Sequence, residues 1–292
     1  TIFWQCEYEE VLSIITSSNP YLIILVFIGM ILCVVISAYK WKIILSIHGI
    51  SQPFWKLNSI FFTALFFNNF LPSTIGGAAY RMYSISTAQS NMAGGVASVI
   101  VDRLIGFWAL IVLSFLGASW QYYKNGPVPE WIIPILILLG VATLSPILFL
   151  TRIKNLFLAV ISKVKALRKL AIITELYHDY KKSWPKTLYV LFISFGFHIF
   201  TLCWMFILSY AVGDSIGMHK IIIGLTLSNL AALIPVSLNG FGLLDGSYIF
   251  IMVELGMPFN EALMMMLIIR VLLIILSILG GVFYLFERRD KN

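Results

Sequence analysis

Five stretches of the chain are apolar for long enough to cross a bilayer between polar flanks: about residues 21–46, 96–118, 131–150, 187–212 and 262–286. A helix needs roughly 20 such residues to cover the hydrocarbon core, so the pattern predicts five transmembrane helices. Two further regions, 54–95 and 221–256, are apolar but are cut near the middle by Pro, Gly and Asn. Each half is too short to span comfortably. Backbone that is not helical at membrane depth is tolerated only inside protein or against a wet cavity. The economical arrangement is two re-entrant helical hairpins, and the other arrangement is two pairs of short full spans.

Loop charge supplies the sidedness, because short cytoplasmic loops collect Lys and Arg. Residues 1–20 carry Glu7, Glu9 and Glu10 without a basic residue and are placed outside. Lys40, Lys42 and Lys56 mark the far end of the first helix as cytoplasmic. The basic 151–186 loop and the tail after Phe286 are cytoplasmic by the same rule. The 119–130 and 213–220 loops then lie outside. It follows that 54–95 begins and ends inside, whereas 221–256 begins and ends outside. The expected fold is an all-α polytopic membrane protein with two inverted-topology halves, 21–150 and 187–286, each holding one hairpin.

The two broken regions also resemble each other. One reads Phe67-Asn68-Asn69-Phe70-Leu71-Pro72-Ser73-Thr74-Ile75-Gly76-Gly77, the other Leu233-Ile234-Pro235-Val236-Ser237-Leu238-Asn239-Gly240. Aligned on the prolines, Gly77 falls on Gly240, and an arginine-bearing helix follows each, with Arg103 and Arg270. The match is loose, and chance similarity of apolar sequence is its rival. Paired interrupted segments in two halves are nevertheless the best sequence pointer to a transporter's binding site.

Composition agrees. Of 292 residues, 60% are apolar and 11% charged, against about 25% charged in soluble domains. That excludes a soluble enzyme and a disordered regulator. The net charge of +7 sits in loops between apolar runs, so no nucleic-acid partner is expected. Cys6, Cys33 and Cys203 are too scattered for a disulfide framework or a metal site. No cleavable signal peptide is apparent, and the chain opens on Thr1, which fits a trimmed N-terminus.

Charges inside apolar sequence are the candidate chemistry, since each costs about 2.5–3.5 kcal/mol at a helix centre. Asp102 and Arg103 lie near the cytoplasmic end of their helix, where they either snorkel or pair locally, or line a pathway. Arg270 lies about eight residues into its run, where snorkelling is harder. Arg81 follows the Gly76-Gly77 break, where a helix N-terminus exposes backbone N–H groups and favours anions. Arg81, Arg103 and Arg270 are therefore expected to face one cavity with Asn69 and Asn239, as a phosphate site. Asn68, Asn69, Ser73, Thr74, Ser237 and Asn239 either satisfy backbone freed by the breaks or bond a headgroup. Asp102 is the candidate for ion coupling, although pairing with an arginine argues against that role. His198 reads first as a helix–helix hydrogen-bond partner. In the basic loop, Ile153, Leu156, Phe157, Val160, Val164 and Leu167 form a helical stripe suited to an anionic membrane surface. No ATP-binding glycine loop, metal spacing or catalytic grouping stands out, so no cofactor is expected.

The same residues carry a family resemblance. The Phe67–Gly77 run with Arg81, the Val101-Asp102-Arg103-Leu104-Ile105-Gly106 segment, and Leu233–Gly242 followed by Asp245-Gly246-Ser247 resemble the flippase-like membrane domain of lysylphosphatidylglycerol synthases. The closing Gly280-Gly281 fits as well. The likeness covers essentially residues 1–292, as one domain, and is to stand-alone members without the aminoacyl-transferring domain. It implies translocation of an anionic phospholipid or a polyprenyl-phosphate-linked sugar across a prokaryotic cytoplasmic membrane. Two departures stand out: Ala78 occupies a position usually acidic after the double glycine, and the family usually has one more helix before the 7–20 segment. The competing functions are an intramembrane transferase using Asp102, Asp245 or Glu254, and a scaffold for a separate glycosyltransferase or lipid synthase.

Overall fold

A computed structural model of the protein describes residues 18–69, 75–86, 92–138, 140–141, 179–213, 216–231 and 240–289. The described residues are all-helical. Four helices are long and apolar enough to cross a membrane: Pro20–Ile47, Met92–Lys124, Trp184–Val212 and Phe259–Phe286. Three reproduce the expected spans to within a few residues, and the second is longer at both ends. A further helix starts at residue 132; the rest of the expected 131–150 span lies outside the described residues, as does 151–178.

Helix α1 (Pro20–Ile47) begins where Asn19 accepts the Tyr21 N–H and Pro20 sets the first turn. It stops at Gly49, whose φ of +69° suits glycine, with the Ile50 N–H returning to the Leu45 carbonyl. Val26, Met30, Val34, Ala38 and Leu45 recur near fourfold spacing on its buried face. That face packs on α5 (Trp184–Val212): Val26, Met30 and Val34 share one core with Leu202, Met205 and Leu208, and Ala38 and Leu45 a second with Val190. The opposite faces remain apolar and exposed, at Ile24, Ile28 and Leu32 on α1, as a lipid-facing helix requires.

The interrupted regions form pairs of short helices. The first pair is α2 (Phe54–Asn68) and α3 (Ile75–Ser86); the second is α6 (Met218–Ala231) and α7 (Leu243–Glu254). Helices α2 and α7, whose two ends are both described, have 15 and 12 residues and reach only about 18–22 Å at 1.5 Å per residue, short of the ~30 Å core. The long helices α4 (Met92–Asn125) and α8 (Phe259–Arg289) follow the respective pairs.

Packing relations recur between the halves. Helix α2 packs on α3 as α6 does on α7, and α3 on α4 as α7 does on α8. Each long helix crosses to the other half: α8 lies on α2, and α4 on α6. Both crossings use glycine. Gly280 sits against the Phe62 carbonyl, and Gly117 against Ile222. The α4–α5 packing has no comparable counterpart among the described residues.

At the end of α1, a histidine ties the chain to the segment entering α5. The His48 Nδ1 lies 3.3 Å from Asp179 Oδ2 and its Nε2 2.9 Å from the Tyr180 hydroxyl. This suits a neutral imidazole that donates to the carboxylate and accepts from the phenol. Burial pushes the His48 pKa below its ordinary value, outweighing the opposite pull of Asp179. The folded state then binds fewer protons than the unfolded one, so this contribution is full above about pH 6.5 and is lost as pH falls through the lowered value. Thermal unfolding between about pH 5 and 7 should show a stability loss on acidification that His48→Gln reduces. An identical pH slope in that variant would count against the role.

Candidate functional site

Three helices bring charge together where the pair α2 and α3 meets α1 and α4. Lys40 of α1 lies with Nζ 2.9 Å from Asp102 Oδ1, and Arg81 of α3 with Nη2 2.9 Å from Asp102 Oδ2. All three side chains are at most 8% exposed. The Arg81 guanidinium carbon is 4.3 Å from the Trp41 ring centre and 4.1 Å from that of Phe61. The rings offer it cation–π attraction in place of water. Trp41 is itself held by donating to Ser98 Oγ at 2.9 Å. Among these residues two cations share one carboxylate, and half-buried Arg103 follows Asp102 in α4.

The second half builds the same motif with the charges exchanged. Here the acid is on the short helix and the base on the long one: Arg270 Nε of α8 donates to Asp245 Oδ1 of α7 at 2.7 Å. The other Asp245 oxygen accepts the Gly242 N–H at 3.0 Å and caps α7. The Arg270 guanidinium carbon lies 5.0 Å from the Phe241 ring centre. The pair partners are 21 residues apart in the first half and 25 in the second.

The residues at the breaks are engaged as well. Asn68 Oδ1 accepts the Gly77 N–H at 2.6 Å, tying the end of α2 to the start of α3. Asn69 Nδ2 donates to Ser277 Oγ on α8. Gly76 and Gly77 are buried at the start of α3, where a Cβ at Gly77 would meet the Ala64 carbonyl oxygen at 2.6 Å. Gly240 is buried with φ +72°. Ser73, Thr74, Ser237 and Asn239 lie outside the described residues, as does the amphipathic stripe of the basic loop.

A cavity of about 380 Å³ opens between the halves, bounded by α1, α2 and α4 to α8. Met30, Phe61, His198, Leu225, Tyr248 and Met266 are among its lining. Arg81, Arg103, Arg270 and Asn69, expected to face one cavity, are not among the described residues lining this one. An arginine in low dielectric is better placed beside a carboxylate and an aromatic face than against an apolar void. Asp102 is not a snorkelling group either, because its partners come from α1 and α3. His198 lines the cavity 8% exposed, with its Nε2 close to Gly106 of α4.

Sequence reasoning missed Lys40 as part of the charge cluster. It served only to mark the cytoplasmic end of the first helix. Its place inside the 21–46 run, rather than beyond it, was the available signal. Asp245 was noticed, but not as the partner of Arg270.

The comparisons with known proteins accord with this architecture. The family model described as the lysylphosphatidylglycerol synthase TM region matches residues 1–281. A UPF0104 membrane protein of Methanocaldococcus jannaschii is 25% identical over 309 aligned positions, covering 97% of this chain and 89% of the relative. A UPF0104 membrane protein of Methanothermobacter thermautotrophicus is 25% identical over 146 positions, 47% of this chain and 40% of the relative. The chain is thus a multi-pass membrane protein, and it belongs to the family of the lysylphosphatidylglycerol synthase transmembrane region.

Proposed function

We propose that the protein moves a lipid headgroup between leaflets, acting as a carrier that leaves its cargo chemically unchanged and holds no cofactor. The cargo class is an anionic phospholipid or a polyprenyl-phosphate-linked sugar. The carrying observation is the two pairs of short helices in corresponding places of two halves, each tied by an ion pair to the long helix that follows. Interrupted helices in matching positions are how many transporters form their sites.

Loop charge supports opposite entry of the hairpins, hence re-entrant segments in an inverted repeat. On this reading 151–186 and the C-terminal tail face the cytoplasm, and residues 1–20 face outside. The two archaeal relatives support a prokaryotic cytoplasmic membrane. Lipid tails are already at home in the bilayer, so only the headgroup needs a route across ~30 Å of hydrocarbon. That route runs from the Gly76-Gly77 break near Arg81 and Arg103 to the Asn239-Gly240 break near Arg270, with Asn68, Asn69 and Ser237 beside it. A phosphate there competes with Asp102 and Asp245 for the guanidinium forks. With both carboxylates committed to cations, movement down a gradient is favoured over tight proton coupling. A separate lipid-modifying enzyme or glycosyltransferase supplies or consumes the cargo.

The test is a leaflet assay on proteoliposomes carrying NBD-phosphatidylglycerol, repeated with an NBD-labelled polyprenyl phosphate. External dithionite should bleach nearly all of at least one probe, where protein-free vesicles retain the inner-leaflet half. Removing Arg270 alone would strand Asp245, so the diagnostic variant is Asp245→Asn with Arg270→Gln. It should fold and move lipid at least tenfold more slowly. A chemically altered probe would support a transferase instead, and neither probe moving or changing would support a scaffold.

A further inference from the structure

The cavity between the halves has walls suited to hydrocarbon. Its volume of about 380 Å³ lies at the lower end of the ~300–1,000 Å³ common for small-molecule pockets. No Asp, Glu, Lys or Arg is among the described lining residues. Three of its polar side chains turn back onto their own helices. Thr201 Oγ1 donates to the Phe197 carbonyl at 2.9 Å, Ser228 Oγ to that of Gly224 at 2.6 Å, and Asn229 Nδ2 to that of Leu225 at 2.7 Å. Such back-bonding satisfies the donors locally and presents the cavity with a largely apolar surface. Met30, Met205 and Met266 add flexible thioethers that adapt to an irregular occupant.

His198 Nε2, Trp204 Nε1 and the Tyr248 hydroxyl, all buried on residues of the lining, depart from this pattern, and Tyr248 supplies the hydroxyl among them. Tyr248 of α7 lines the cavity at 1% exposure, and its hydroxyl has no hydrogen-bond partner among the described residues. A buried hydroxyl without a partner carries an uncompensated desolvation cost, which a phenylalanine would avoid. A charged headgroup has nothing to pair with here and would be expensive to bury. A hydrocarbon chain bearing a neutral oxygen satisfies both features.

We propose that this cavity binds one long hydrocarbon chain of a lipid, with an uncharged ester or ether oxygen accepting from the Tyr248 hydroxyl. The chain site is separate from the arginine clusters, and it stands whether or not headgroups are moved.

The probe is methyl palmitate carrying a mid-chain diazirine, photolysed with the full chain in detergent micelles and mapped by peptide mass spectrometry. Saturable adducts are expected on Met30, Leu225 or Met266, displaced by unlabelled methyl palmitate and not by inorganic phosphate. Tyr248→Phe should raise the displacing concentration about two- to tenfold, the worth of one hydrogen bond. Leu225→Trp, which fills the space, should abolish the adducts, whereas Leu279→Trp on the exposed face of α8 should not. Adducts confined to outward residues such as Ile274 and Ile278, or displaced by phosphate, would overturn the site. Unchanged displacement in Tyr248→Phe would overturn the oxygen assignment even if Leu225→Trp fails to fold.

Discussion

Asp102→Asn should destabilise the protein by about 3–5 kcal/mol, the usual cost of breaking a buried ion pair from one side. The substitution keeps the shape of the side chain and removes its charge. Lys40 and Arg81 would then face each other, 6% and 7% exposed, without a counter-charge. Desolvation is already spent on both, and Trp41 and Phe61 compensate only the guanidinium. Lys40→Met is the informative contrast. It leaves Asp102 and Arg81 as a neutral one-to-one pair and fills the same volume, so its cost should be clearly smaller. Thermal unfolding in one detergent, at one pH and ionic strength, compares the two. If Lys40→Met proves the more damaging, the cluster is not organised around the carboxylate.

The second large effect concerns the crossing of α8 on α2. Alanine is favoured over glycine inside a helix by about 1 kcal/mol, so propensity alone makes Gly280→Ala stabilising. Packing reverses the sign, because the added Cβ would overlap the Phe62 carbonyl group. That neighbour is backbone and cannot rotate away. The helices would have to separate, weakening the Thr63 bond to the Gly280 carbonyl and the Asn69 bond to Ser277. A net loss of about 1–3 kcal/mol is expected, typical of overpacking. Gly196→Ala in α5 is the control, since its Cβ meets nothing within 4 Å, and it should be neutral or stabilising. Equal melting behaviour of the two variants would refute the close crossing.

These two sites illustrate what was legible in the residues and what was not. The spans at 21–46, 187–212 and 262–286 were readable because a bilayer imposes a length on any apolar helix. The breaks were readable because Pro and Gly cannot continue a helix unaided. Membership of the family was readable from the same motifs. The Gly280-Gly281 pair was visible as a family feature, but not its partner Phe62, more than 200 residues away.

The sequence by itself determined an all-helical membrane protein with two interrupted regions, and it singled out Arg81, Asp102, Arg103 and Arg270 as residues with a cost to explain. It did so because hydrophobic length, helix breakers and misplaced charge are local properties that survive in one dimension. Only the tertiary structure decided which charge meets which: Lys40 and Arg81 on Asp102, Asp245 on Arg270. It alone also built a cavity with no arginine among its described lining residues, and left the Tyr248 hydroxyl there without a described partner. Pairing energies depend on distance and burial, and helices far apart in sequence set both only when they pack.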